Sequence, residues 1–152
     1  RLKKLNDGLA SATFLAMAGL NRLNMAHVAT VAIEPEQMLP ALAQGVIGIE
    51  RRSNDTKIAT LLEPLHDVST GLQLSCEREF LAALDGSCET PIAGLAVIDG
   101  SNLFLRGEVL RPDGSEKLSG QRRGPIANGA EMGRDLAEDL LSQAGPEFFS
   151  WR

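Results

Sequence analysis

The chain has 152 residues, 43% hydrophobic and 23% charged, with a formal net charge of −5; this is the make-up of a globular protein with enough length for one core or two small ones. The acidic excess opposes general nucleic-acid binding, and aromatics at 4% with no tyrosine leave no base-stacking platform. No run approaches the roughly 18 apolar residues of a membrane span, and two cysteines are too few for a disulfide framework, so a reducing cytoplasm is the expected compartment.

The chain opens on Arg1-Leu2-Lys3-Lys4, without Met and without a secretory signal, which gives the expectation of a fragment or a processed chain. A short helix or turn is predicted at Lys3 to Asn6, closed at Asp7-Gly8. The apolar run around Ala12 to Ala18, in "ATFLAMAGL", is expected to form a buried strand. "HVATVAI", His27 to Ile33, is β-branched and apolar enough for a second, and "GVIGIERR", Gly45 to Arg52, for a third. Between them "EPEQMLPALAQG", with Pro35, Pro40 and Gly45, reads as a crossing segment. Interleaved strands and short helices make this an α/β half-domain with too few elements to close a core.

From Ser53 the character changes. "SNDTKIATLLEPL" sets Ile58, Leu61, Leu62 and Leu65 at helical spacing, with Pro64 breaking the helix. Thr70 and Gln73 form a capping-box pattern for the next helix, whose stripe is Leu72, Cys76, Phe80, Ala83 and Leu84, with Gly86 as its stop. Three strand-like runs follow, Pro91 to Ile98, Leu103 to Leu110 and Glu116 to Arg122, separated by the turn signals Asp99-Gly100 and Pro112-Asp113-Gly114. Asn128 with Glu131 opens a last helix with the stripe Met132, Leu136, Leu140 and Leu141, ended by Gly145-Pro146. The second half therefore reads as a small α+β domain: helices on a three-stranded antiparallel meander.

No G-x-S-x-G, Walker A or G-x-G-x-x-G pattern occurs, His27 and His66 are isolated, and Cys76 and Cys88 lack C-x-x-C spacing, which argues against a zinc site. Cys76 sits on an apolar stripe and reads as a core residue. Cys88 lies in a Gly/Ser/Thr/Pro loop that offers a thiol little apolar cover; it is either incidental or functional. A disulfide between the two would have to overcome a helix and cap that point them apart. Arg22 at the exit of the first strand is placed to grip a carboxylate bidentately or to be simply solvated. At Gln44-Gly45 a side-chain amide and a bare backbone can approach a ligand. Arg122-Arg123 reads as a solvated strand end.

The stretches "RLKKLNDG", "LAMAGLNRL", "MLPALAQGVIGIERR", "CEREFLAALDGSCETPIAG" and "LRGEVLRPDGS" together closely resemble the C-terminal half of the porphobilinogen deaminase (hydroxymethylbilane synthase) family, in family order and spacing over essentially the whole chain. "LPALAQGVIGIE" and "LDGSCETPIAG" are the most specific pieces. The resemblance implies a transferase of tetrapyrrole and haem biosynthesis that condenses porphobilinogen into a linear tetrapyrrole, releasing ammonia. It also implies a dipyrromethane cofactor held by a thioether to a loop cysteine, which by motif is Cys88. A cysteine suits that chemistry. Loss of ammonia from an aminomethylpyrrole leaves a soft electrophilic carbon, and a thiolate is the side chain best suited to capture it.

Each pyrrole bears an acetate and a propionate, and the resemblance places carboxylate-binding arginines at Arg1 and Arg22 and a cleft-lining hinge at Gln44 and Gly45. The implied architecture is residues 1–43 as the tail of a periplasmic-binding-protein-like α/β second domain, 44–63 returning to the first domain, and 64–152 as the cofactor-attachment α+β domain. The family's catalytic aspartate has no counterpart here, so the chain alone is expected to be inactive without an N-terminal portion of the same enzyme; the full-length protein is expected to be a monomer. The alternative is a non-catalytic small-molecule-binding α+β module derived from that fold. A redox protein using both cysteines is a third reading.

Overall fold

The computed structural model describes residues 1–85, 90–145 and 147–149. They fall into two compact units, Arg1–Glu34 and Pro35–Arg152. Among the described residues no helix is long and apolar enough to cross a membrane.

In the first unit, helix α1 (Leu2–Asn6) is a single turn with Lys3 Nζ 2.5 Å from Asp7. The run expected to be a buried strand, Ala12–Ala18, is irregular through Ala16 and then becomes helix α2, Met17–Arg22, which buries Leu20. Its residues Met, Ala, Leu and Arg are helix formers without β-branches. His27–Ile33, the second expected strand, begins in a 3₁₀ turn (Ala26–Val28) and continues as irregular, partly exposed chain. Gly45–Arg52, in the second unit, is likewise no strand, and Ile47 is 90% exposed. β-propensity is a statement about a paired, half-buried surface; none of these segments finds a ladder among the described residues.

The second unit carries the core. Helix α3 (Thr56–Leu62) is capped by Asp55, whose side chain accepts the Ile58 N–H at 2.9 Å; it stops before Pro64, the expected break, and the chain continues in a 3₁₀ turn (Glu63–Leu65). The predicted stripe is in register, yet Ile58, Leu61 and Leu65 are exposed. Helix α4 (Val68–Ala83) starts earlier than the Thr70/Gln73 pattern implied. Asp67 is its N-cap and accepts the Thr70 N–H at 2.7 Å, because a carboxylate is a charge-assisted acceptor that also suits the helix dipole. The α4 stripe buries Cys76, Phe80 and Leu84, while Leu72 stays partly exposed.

Strands β1 (Ile92–Asp99), β2 (Asn102–Leu110) and β3 (Lys117–Pro125) form an antiparallel meander in the order β1-β2-β3. Leu95 pairs with Arg106, and Gly107 with Gly120. Helix α5 (Gly129–Gln143) follows a 3₁₀ turn; Asn128 holds its N-cap position but makes no side-chain cap bond. Helices α4 and α5 pack against each other, α4 also against β1 and α5 against β3. The core lies between helices and sheet: Cys76, Phe80 and Leu84 meet Leu103, Leu105 and Val109, with Leu136, Ala137 and Leu140 from α5. Gly133 allows the helices to touch, since a Cβ there would collide with the Cys76 carbonyl oxygen and sit 2.9 Å from the Phe80 nitrogen.

Candidate functional site

Strand β1 is an edge of the sheet, and its outward N–H groups need partners. The Gly94 N–H donates to the Pro40 carbonyl at 3.0 Å, and Ala41 bridges to Ala93. Farther along the edge, the Ala96 N–H donates to Glu77 Oε1 at 2.8 Å. The other oxygen of the same carboxylate, Oε2, accepts the Ala43 N–H at 2.7 Å. Glu77, on α4, is 6% exposed and is the buried charged side chain of the described residues. Its burial is compensated by these two backbone donors.

The segment so held turns sharply. Ala43 has φ +60° and Gly45 φ +84°. The first is uncommon for a residue with a side chain; the second is glycine's own territory. Gln44 and Gly45 then form part of the lining of an open cleft of about 970 Å³, with Arg51, His66, Gln73 and Glu77 among the other residues on its walls. The size is that of a small-molecule site.

Arg1 and Arg22 belong to the first unit. Arg1 is exposed and donates from Nη1 to the Phe14 carbonyl at 3.1 Å. Arg22 is also exposed, but it stands in the last turn of α2 and not at the exit of a strand; a cation is favoured at that helix end. Cys88 lies outside the described residues, as does Gly86, the predicted helix stop. Its described flanks are clear: α4 ends at Ala83 with Leu84 as its C-cap, Asp85 takes a left-handed φ of +52°, and Pro91 leads into β1 with its carbonyl accepting the Leu110 N–H at 2.9 Å. Cys88 is thus in the connection between α4 and β1.

The other thiol is disposed of by packing. Cys76 is fully buried and free. Burial, with the neighbouring Glu77 carboxylate adding to it, pushes the thiol up to about 12, so at neutral pH it is neither nucleophile nor ligand. Arg122 bonds Asp135 and also Asp139, the latter at 2.9 Å, and Arg123 pairs with Asp99 at 2.5 Å. These two arginines are tied to carboxylates of α5 and of the β1 end and do not form a free basic patch. The sequence reading missed Glu77. Its signal was a carboxylate next to Cys76 on a helix whose neighbouring stripe is core, a place where a charge survives only with partners.

Comparison with known proteins bears on the whole chain. Residues 1–60 match the family model "Porphobilinogen deaminase, dipyromethane cofactor binding domain", and residues 72–142 match "Porphobilinogen deaminase, C-terminal domain". Arg1, Arg22, Gln44 and Gly45 fall in the first match and Cys88 in the second. A porphobilinogen deaminase of Paracoccus denitrificans is 60% identical over 151 residues, which is 99% of this chain and 48% of that protein. The chloroplastic porphobilinogen deaminase of Pisum sativum is 50% identical over 153 residues, 99% of this chain and 42% of that protein. The chain spans about half the length of the curated relatives it matches.

Proposed function

Since the chain belongs to the porphobilinogen deaminase family, we propose that it is the C-terminal portion of a hydroxymethylbilane synthase and that Cys88 anchors its dipyrromethane. The observation that carries this assignment is the division of the thiols: the chain has two cysteines, and Cys76 is sealed in the core with its thiol held protonated. The match of residues 1–60 to a cofactor-binding domain favours this reading over a non-catalytic binding module.

Two exposed guanidinium groups, Arg1 and Arg22, are available to carboxylates, and Gln44 with the bare backbone of Gly45 lines a cleft of small-molecule scale. When attached, the dipyrromethane supplies the pyrrole terminus on which substrate units condense. Cys88 makes the anchor: its sulfur bonds to the aminomethyl carbon of a pyrrole as the C–N bond breaks, and ammonia departs with the thiol proton. Arg1 and Arg22 neutralise acetate and propionate groups, while Gln44 and Gly45 line the path. The proton-handling aspartate would come from an N-terminal portion, so this chain by itself has no turnover. The thiol must stay reduced until it is used, which suits the cytoplasm, and the complete enzyme works as a monomer.

Intact mass tests the assignment. Joined with the N-terminal portion and given porphobilinogen, the chain should gain two pyrrole units, and Cys88→Ser should fold and gain none. An adduct that persists in Cys88→Ser, or robust porphobilinogen consumption by the isolated chain, would overturn it.

A further inference from the structure

We infer that Glu77 is a positioning residue, the carboxylate that sets the Gln44-Gly45 turn against the α4–β1 base from which the Cys88 connection springs. This rests on the assignment of Cys88 as the anchor. Three segments far apart in sequence meet at one side chain. Glu77 itself is on α4, before Cys88; Ala96 is on β1, after Cys88; Ala43 immediately precedes Gln44.

The chemistry at this point suits a carboxylate. Both contacts are backbone N–H donors, at 2.7 and 2.8 Å, one to each oxygen, and a carboxylate, which accepts at both oxygens and donates at neither, matches them. The Pro40–Ala43 segment is already fastened to the β1 edge through the Gly94 N–H and the Ala41–Ala93 bridge. Those ties fix where the segment begins. Glu77 fixes where it ends, at Ala43 with φ +60°, a conformation that persists in a residue with a side chain only where its surroundings hold it. The next two residues line the cleft, as does Glu77. Releasing the Ala43 N–H would therefore let Gln44 and Gly45 move relative to α4 and β1 without unpacking the core cluster, to which neither belongs.

Glu77→Gln separates positioning from stability. The amide oxygen accepts one N–H, and the amide nitrogen, itself a donor, faces the other. With the N-terminal portion present, Glu77→Gln should still carry the pyrrole adduct by mass, while kcat/KM for porphobilinogen per tethered enzyme falls at least fivefold. Leu140→Ala, a core control assayed at the same interval below its thermal midpoint, should stay within twofold of wild type. Amide exchange followed by NMR on the chain should show Ala43 and Ala96 protected in wild type, with at least one exchanging tenfold faster in Glu77→Gln. Turnover within twofold of wild type, or unprotected Ala43 and Ala96 amides in wild type, overturns the inference. A wild-type assembly with no adduct on Cys88 sinks the functional assignment instead, and the exchange measurement then decides the clamp alone.

Discussion

Iodoacetamide added to the folded, cofactor-free chain at pH 7.5 should label Cys88 and spare Cys76. With its thiol pushed up to about 12, Cys76 is about 3 × 10⁻⁵ ionised at that pH, against about 3 × 10⁻² for a thiol at the ordinary 9.0, a ratio of roughly 1,000 before access is counted. Complete burial adds the requirement that α4 and α5 open first. The same thiol links stability to pH with a definite sign. Folding favours the protonated form, so its contribution is intact below the ordinary value of 9.0 and is lost as pH rises toward about 12. Between pH 8 and 10 the unfolded thiol ionises and the folded one does not, which costs about 1.4 kcal/mol. Urea unfolding at the two pH values should show wild type losing about that much more than Cys76→Ala. Cys76 labelling within tenfold of Cys88, or identical pH losses in the two proteins, would refute the placement of this thiol in the core.

Further outcomes follow from the packing. Gly133→Ala drives a methyl group into backbone atoms of α4, the Cys76 carbonyl oxygen and the Phe80 nitrogen, so the helices must part; despite the better helix propensity of alanine, urea unfolding should show a loss of about 1–3 kcal/mol. Asp67 accepts the Thr70 N–H, which holds its carboxyl below the ordinary 3.8; its stabilising effect is present above that value and fades as pH falls through the lowered one. Asp67→Asn keeps a capping oxygen but not the charge, so thermal unfolding should fall slightly below wild type at pH 7 and approach it in acid, losing this part of the acid sensitivity. Cys76→Ser places a hydroxyl in the apolar core and should cost about 1–3 kcal/mol in urea unfolding, while intact mass shows the Cys88 adduct unchanged.

The residues alone determined a good deal. The stripes of α4 and α5, the alternation along β1, β2 and β3, and the turn residues between them are local patterns satisfied within one contiguous stretch, so period and punctuation sufficed to place them. The burial of Cys76 was legible for the same reason, since it lies on the apolar stripe of α4. Where the reading went astray, the deciding partner was not local. Ala12–Ala18, His27–Ile33 and Gly45–Arg52 carry apolar strand-like composition, but a strand needs a neighbour's N–H and C=O groups, and the described residues supply none. Glu77 is the same lesson reversed: nothing in "CEREF" says that its two oxygens will meet amides from residues 43 and 96. Only the folded chain brings those donors together, because hydrogen-bond partners are chosen in space and a periodic pattern along the sequence records only which face is apolar.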